Sequence, residues 1–426
     1  MWQGKYELTV NQWGVGHGGL HSQSVAFRAI DRSAAAQFTG DELTVRFIYD
    51  CGAGRGPTSN GNMDPAISRM LRDIPDGTQW DLLAISHFDR DHVNGLDLLA
   101  TRLEDHGMSV ERIWAPILSP LEKLYVIASE PDPSDSLIDW TIDPVAAASE
   151  RFDGVTVVLI PPTEEPIPPI AAEPVINAEG GEDEAWVSTI VTDRRIAVHG
   201  KVGSGAEALW EIQPYVVDST VHGAVAVETD LVALLGRPVD RLTIADVRKI
   251  VSDKNLLPKF HKAIWAHRPK GRVPRPSGAR TPSNYSTLSL YSGPVSPYEW
   301  CRYRSGWQPV ALNRFVVPVA PSWLGTGDAG LRGVQHVDAL GRSLPGRLDR
   351  VGVASVSHHG AKDDSGAPLW DALPNTRIVT IEADHLPGSG KPHPHIQVTD
   401  ELKRRNISIH SATAGNDFIW FDRRIR

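Results

Sequence analysis

Ser86-His87-Phe88-Asp89-Arg90-Asp91-His92-Val93-Asn94-Gly95 follows directly on the apolar run Leu82-Leu83-Ala84-Ile85. Such a run, closed by turn residues, reads as a buried strand. Four potential metal ligands, His87, Asp89, Asp91 and His92, stand just beyond its end. Side chains alternate along an extended strand, so His87 and Asp89 project to the same side. The chain then turns into a helix near Asp91, which lets Asp91 and His92 face the same cavity from another direction. A cluster of this kind can serve two cations. Imidazole suits Zn, Mn or Fe, and several carboxylates harden the site toward Mn or Mg. The competing reading is a polar helix start with Asp91 as N-cap and His92 pairing locally, but capping needs only one of the four groups.

Two later segments also run from an apolar strand into polar groups. Phe315 to Leu324 leads to Gly325-Thr326-Gly327-Asp328. There the glycines allow close backbone approach and leave Asp328 able to bridge two ions. Taken alone, a Gly-Asp turn is a commonplace loop. Val351 to Ser357 leads to His358-His359-Gly360-Ala361-Lys362. Paired histidines before a glycine at a strand end suit ligand or catalytic roles, the alternative being core residues.

The wider sequence is consistent with a large globular protein. Its 426 residues allow two or three domains, or one large α/β unit with insertions. Hydrophobic residues at 41% and charged residues at 22% argue against general disorder and fibrous classes. The 43 basic and 52 acidic side chains give a net charge of −9, an ordinary soluble balance. No stretch approaches the ~18 uninterrupted apolar residues of a membrane span, and the first residues lack the order of a signal peptide. The expectation is a cytoplasmic protein with no membrane contact. Only Cys51 and Cys301 are present, too few for a disulfide framework or a thiolate zinc site, so histidines and carboxylates must supply any metal chemistry.

Strand-like runs recur at 6–12, 43–50, 81–86, 155–161, 209–217, 287–292, 314–325, 351–357 and 377–382. Helical patterns lie between them at 93–103, at 243–253 with a Thr243/Asp246 capping-box signature, and at about 396–405. The mixture predicts an α/β or α+β fold. Residues 161–186 hold six prolines and seven acidic residues without a Lys or Arg, and read as an acidic surface loop. From 254 to 298 there is no acidic residue, while eight bases alternate with Phe260, Trp265, Tyr285, Tyr291 and Tyr298. Arg268, Lys270, Arg272, Arg275 and Arg280 are the nucleic-acid-binding candidates, since bases with interleaved aromatics suit phosphate contact and base stacking. The plainer reading is a solvated loop balancing the acidic segment. The Gly14-to-Gly19 run is followed by a strand pattern, so a dinucleotide fingerprint lacks its context. No Gly-x-Ser-x-Gly elbow occurs.

The order of these motifs resembles the metallo-β-lactamase fold, and within it the hydrolase domain of the DNA-uptake protein ComEC. The family's central motif is His-x-His-x-Asp-His, and the ComEC branch has Asp at the third position, as Asp89 stands here. Val15-Gly16-His17-Gly18-Gly19 is similar to that branch's Val-Gly-Gln-Gly-Asp turn, and Ile48-Tyr49-Asp50-Cys51-Gly52 to its Ile-Asp-Thr-Gly strand end. Asn284 to Leu290, Gly325 to Asp328, Ser357 to Lys362 and His393-Pro394-His395 resemble its remaining motifs in order. The resemblance covers roughly residues 1–116 and 284–424. Three features depart from it: His17 stands where the branch has Gln, residues 117–283 match nothing in it, and ComEC's membrane channel is missing. Nor can the extra histidine that many members insert between the central motif and the bridging Asp be placed.

By this resemblance the fold is a four-layer αββα sandwich, with a hydrolase domain of 1–116 and 284–426 and a large insertion at 117–283. Two divalent cations, Zn or Mn with Mg as the alternative, are expected on the metal ligands His87, Asp89, Asp91, His92, Asp328 and His359. His87 and Asp89 would hold one ion, Asp91, His92 and His359 the other, with Asp328 between. Asp91, His358, Lys362 and His393 form the catalytic set, the last three stabilising charge or protonating the leaving oxygen. His358 and His359 are interchangeable at this level, and Asp50 is expected to support the ligands from behind. The first functional expectation is a metal-dependent nuclease or phosphodiesterase with DNA or RNA as substrate. The alternatives are a hydrolase of a small phosphodiester or lactone under a lid formed by 117–283, and a noncatalytic binding module. Protein partners are not specified, and a homo-oligomer is left open.

Overall fold

The computed structural model describes residues 4–31, 37–54, 62–162, 186–192, 194–202, 205–216, 224–266, 286–295, 301–302, 319–362, 364–383, 393–413 and 415–425. The five basic nucleic-acid candidates and most of the acidic loop lie outside the described residues, as does the start of the 314–325 run.

Among the described residues, two eight-stranded sheets lie face to face. The first runs Cys301–Arg302, Phe418–Ile425, Gly4–Gln12, Gly18–Asp31, Gln37–Ala53, Leu82–Ala84, Arg112–Pro116, Thr156–Ile160. The second runs Ser408–Ser411, Ile378–Ile381, Val351–Ser355, Ser322–Gly325, Leu288–Pro294, Gly205–Val216, Arg195–Val202, Trp186–Thr192. Each sheet has an antiparallel part and a parallel part. The first and last strands pair with each other, joining the two ends of the chain in one sheet.

Side-chain alternation makes the layers. In Gly4–Gln12 buried and half-buried residues alternate, with Tyr6, Leu8 and Val10 turned to the second sheet. Leu82–Ala84 is buried on both faces: Leu82 and Ala84 enter the core between the sheets, beside Phe47, Trp114 and Trp323, and Leu83 enters the outer core beneath helices Met63–Leu71 and Leu96–Asp105. Trp323 and Leu324 divide in the same way, Leu324 packing against Leu340, Trp370 and Leu402 from the helices covering the second sheet. Each fully buried side chain of this size contributes roughly 1.5–3 kcal/mol. The result is helix, sheet, sheet, helix: the four-layer αββα sandwich.

The 117–283 segment does not stand apart from this sandwich. It contributes Thr156–Ile160 to the edge of the first sheet and three strands to the second. The expected division at 117 and 283 therefore differs from the arrangement of the strands. The physical reason is local: a strand such as Arg195–Val202 carries buried Arg195 and His199 among its apolar residues, which disguises it in the sequence. The segment's helices do form a core of their own, with Leu124, Ile127, Leu231, Ile250 and Phe260. Buried Glu122 ties that core to the sandwich, because Ser286 Oγ donates to its carboxylate at 2.6 Å. No helix among the described residues is long and apolar enough to cross a membrane.

Candidate metal centre

Parallel strands end on the same edge, and ligand-bearing turns follow those ends. In the first sheet Phe47, Ile48 and Tyr49 pair in parallel with Leu82, Leu83 and Ala84, so Asp50 and the Ser86–His92 segment emerge side by side. In the second sheet Ser322–Gly325 and Val351–Ser355 are parallel neighbours and deliver Asp328 and the His358-His359 pair. Hydrogen bonds lock the turns together. Leu288 N–H donates to Ser86 O at 2.7 Å, Thr326 N–H to Ser355 Oγ at 2.9 Å and His358 N–H to Gly327 O at 3.0 Å.

Asp328 lies at the middle. Its Oδ2 faces His358 Nε2 at 3.5 Å and His87 Nε2 at 3.7 Å, while its Oδ1 faces His92 Nε2 at 3.5 Å and His359 Nε2 at 3.8 Å. Asp91 Oδ2 lies 3.1 Å from His359 Nε2 and 3.5 Å from His17 Nε2, and Asp89 Oδ2 lies 3.7 Å from His87 Nε2. Two compact triads result, His87/His92/Asp328 and His17/Asp91/His359. This grouping differs from the expected one in two respects. His92 sits with His87 rather than with Asp91, and His17, a residue absent from the expected ligand set, joins Asp91 and His359.

The donors fit a cation. His87 Nε2, His92 Nε2 and Asp328 Oδ1 are buried and have no hydrogen-bond partner among the described residues. Each histidine meanwhile has its other nitrogen pinned. His87 Nδ1 contacts Ser86 Oγ at 2.9 Å, His92 Nδ1 contacts Asp50 Oδ2 at 2.8 Å, His358 Nδ1 contacts Asp364 Oδ2 at 2.8 Å, and His359 Nδ1 donates to Glu382 O at 2.7 Å. Holding Nδ1 fixes ring orientation and leaves Nε2 for the site, the usual device around metal-binding imidazoles. Asp50 does more, since its Oδ1 also accepts the Ser86 N–H at 2.6 Å.

Backbone strain collects at the same place. Among the described residues four non-glycine residues have φ in the left-handed region, and three are here: Asp50 at 59°, His358 at 49° and His359 at 51°. Such conformations cost about 1–3 kcal/mol each and persist where surrounding structure imposes them. Gly52 supplies the close approach beneath the motif, since a Cβ there would lie 2.5 Å from both Asp91 C and His92 N.

Charge is unevenly shared. Burial, then the neighbouring His359, pushes His17 down to about 3; burial, then His92, pushes His87 down to about 4. For His92 burial also opposes the proton, but Asp50 and Asp91 outweigh it and its pKa lies well above the usual imidazole value. For His358 burial is likewise overcome, by Asp328 and Asp364, and the pKa rises to about 9. Burial would raise Asp91 and Asp328, yet the surrounding histidines hold both well below the usual carboxylate range.

Of the remaining expected residues, His393 is half-buried with its ring stacked on His358 at 5.9 Å and 5.8 Å from that of His17. Lys362 is exposed, and its ammonium makes no contact with the cluster among the described residues. Asp364 and Glu382, which orient His358 and His359, were not anticipated.

No protein-family model matches the chain, and no curated protein matches it. Among solved structures it is similar to the crystal structure of the metallo-β-lactamase fold protein YhfI from Bacillus subtilis. That likeness has a TM-score of 0.37 and 8% identity, and spans 97% of this chain and 99% of that one.

Proposed function

We propose that the chain is a metal-dependent hydrolase of the metallo-β-lactamase type that cleaves phosphodiesters, with DNA or RNA as substrate. The observation that carries the reading is Asp328, which completes the triad with His87 and His92 while its Oδ1 also faces His359 Nε2 of the other triad at 3.8 Å, so that one carboxylate stands between the two donor groups. His87, Asp89, His92, Asp91, His359 and Asp328 would hold the ions, and His17 adds a donor on the Asp91 side. Divalent cations bound there supply Lewis acidity that makes a water nucleophilic near neutral pH.

The chain's own groups do the rest. His358, oriented by Asp364 through Nδ1, turns Nε2 toward Asp328 and is placed to pass a proton to a departing oxygen. His393, stacked on His358, lines the same approach. Asp89, Asp91, His17 and His358 each keep 20–24% of their side-chain surface exposed, so the edge is reachable by a polymer. The void behind the ligands, bounded by Gln12, His21, Tyr49, Trp323 and Glu382, holds about 10 Å³. That is the room of one water.

The test is cleavage of labelled single- and double-stranded DNA and RNA with Mn, Mg or Zn added, beside Asp91→Ala. Metal-dependent cutting that the substitution abolishes is the expected result. Absence of cutting by a protein that does bind metal would overturn the nuclease reading in favour of small phosphodiesters or lactones.

A further inference from the structure

The two donor triads are alike in composition, two imidazoles and one carboxylate each, and unlike in setting. His87, His92 and Asp328 keep 1–5% of their side-chain surface exposed. In the other triad His359 keeps 2%, but Asp91 keeps 20% and His17 24%. One triad is closed within the edge of the sandwich, and the other opens to solvent through His17 and Asp91.

His17 also differs from its neighbours in how it is held. The Nδ1 atoms of His87, His92 and His359 are engaged by Ser86, Asp50 and the Glu382 carbonyl. The His17 ring makes no hydrogen bond among the described residues; it lies 3.5 Å from Asp91 Oδ2 through Nε2 and 4.0 Å from the His359 ring. Its backbone, by contrast, is built in. Gly54 N–H donates to His17 O. A Cβ at Gly18 would lie 2.8 Å from Asp91 O, and one at Gly54 3.0 Å from the His17 ring carbon Cδ2. The turn is thus pressed against the Asp91 main chain, and the ring it delivers is left to be fixed by a shared ion.

Donor type selects the metal. Imidazole suits Zn, whereas carboxylate and water oxygens suit Mn and Mg. Without His17 the open triad itself offers one imidazole and one carboxylate, and water would fill the remaining positions. With His17, nitrogen makes up two of its three protein donors. A ligand imidazole that lacks a second hydrogen bond is also the more easily released one, since such anchors are worth about 10- to 100-fold in metal affinity.

We infer that His17, Asp91 and His359 form the exchangeable one of the two cation sites, and that His17 makes it selective for Zn over Mn. The inference rests on the two-cation reading above. The test uses the full chain, stripped of metal and titrated with Zn and Mn separately and in competition, with bound ions counted by native mass spectrometry. The wild type should take up two Zn, one of them leaving first to a chelator, and should keep both when Mn is added at equal concentration. In His17→Gln the tighter Zn should stay within about twofold of wild type, which also reports an intact fold, while the other is held about tenfold or more weakly and Mn at that site changes by less than about threefold. His17→Asp, which returns a charged oxygen donor, should recover the second ion with Mn gaining more than Zn. A second Zn held equally well by His17→Gln, equal weakening of both Zn ions, or a wild-type second site that takes Mn as readily as Zn overturns the inference alone. Fewer than two ions in the wild type overturns the two-cation reading and the inference with it.

Discussion

Replacing Asp50 by Asn keeps the side chain's shape and removes its charge. The wild-type carboxylate does two things at once: Oδ1 accepts the Ser86 N–H at 2.6 Å, and Oδ2 holds His92 Nδ1 at 2.8 Å. An amide has one acceptor oxygen, so one of those donors must face an NH2 group. Asp50 is buried, and no bulk water replaces the lost partner. A hydrogen bond to a charged group is worth about 1.5–3 kcal/mol, which at about 1.4 kcal/mol per decade becomes roughly 10- to 100-fold in affinity. Competition against a chromogenic chelator should therefore show Zn or Mn held about 10- to 100-fold more weakly by Asp50→Asn. The pH dependence gives a second readout. Asp50 and Asp91 hold a proton on His92, and that proton must leave before Nε2 can bind a cation, so affinity rises with pH. The rise should be shallower in Asp50→Asn. Metal affinity within twofold of wild type, with an unchanged pH slope, would refute the claim that Asp50 orients His92 for a cation.

Metal-free His358 has a pKa raised to about 9 from an ordinary value of 6.5, so the stability it contributes is fully present below pH 6.5 and is lost as pH rises through about 9. Denaturant titrations should show metal-free wild type exceeding His358→Gln below pH 6.5, with the gap closing by pH 9; a gap that widens with pH contradicts the assigned partners. Gly52→Ala puts a Cβ 2.5 Å from the Asp91 and His92 backbone and should cost about 1–3 kcal/mol together with weaker metal binding, read by denaturant unfolding and chelator competition. Added metal should raise Tm, with about 2.7 kcal/mol of stabilisation at a free concentration 100 times Kd; a Tm indifferent to Zn and Mn would show that the folded chain has no preformed site.

Much of the site was legible because the ligands sit immediately after apolar strands. The Leu82–Ile85 run predicts where His87 to His92 emerge, and the Val351–Ser357 run predicts the paired histidines. Residues that act through long-range contacts were not legible. Asp364 and Glu382 reach His358 and His359 only after the second sheet has formed. His17 lies in a glycine-rich turn far from the central motif in sequence, and its one signal was a histidine where the resembling branch has Gln. Among the strands, Trp186–Thr192 and Arg195–Val202 were hidden by buried polar residues and by the acidic stretch preceding them. The capping box at Thr243 and Asp246 was readable because it is wholly local.

The central claim is that Asp328 stands between two cation sites. Native mass spectrometry of the full chain titrated with Zn or Mn, beside Asp328→Ala, tests it most directly. The account predicts two ions per wild-type chain and at most one, weakly held, in the variant. No bound ion in the wild type, or the same two ions held equally well by Asp328→Ala, would contradict it.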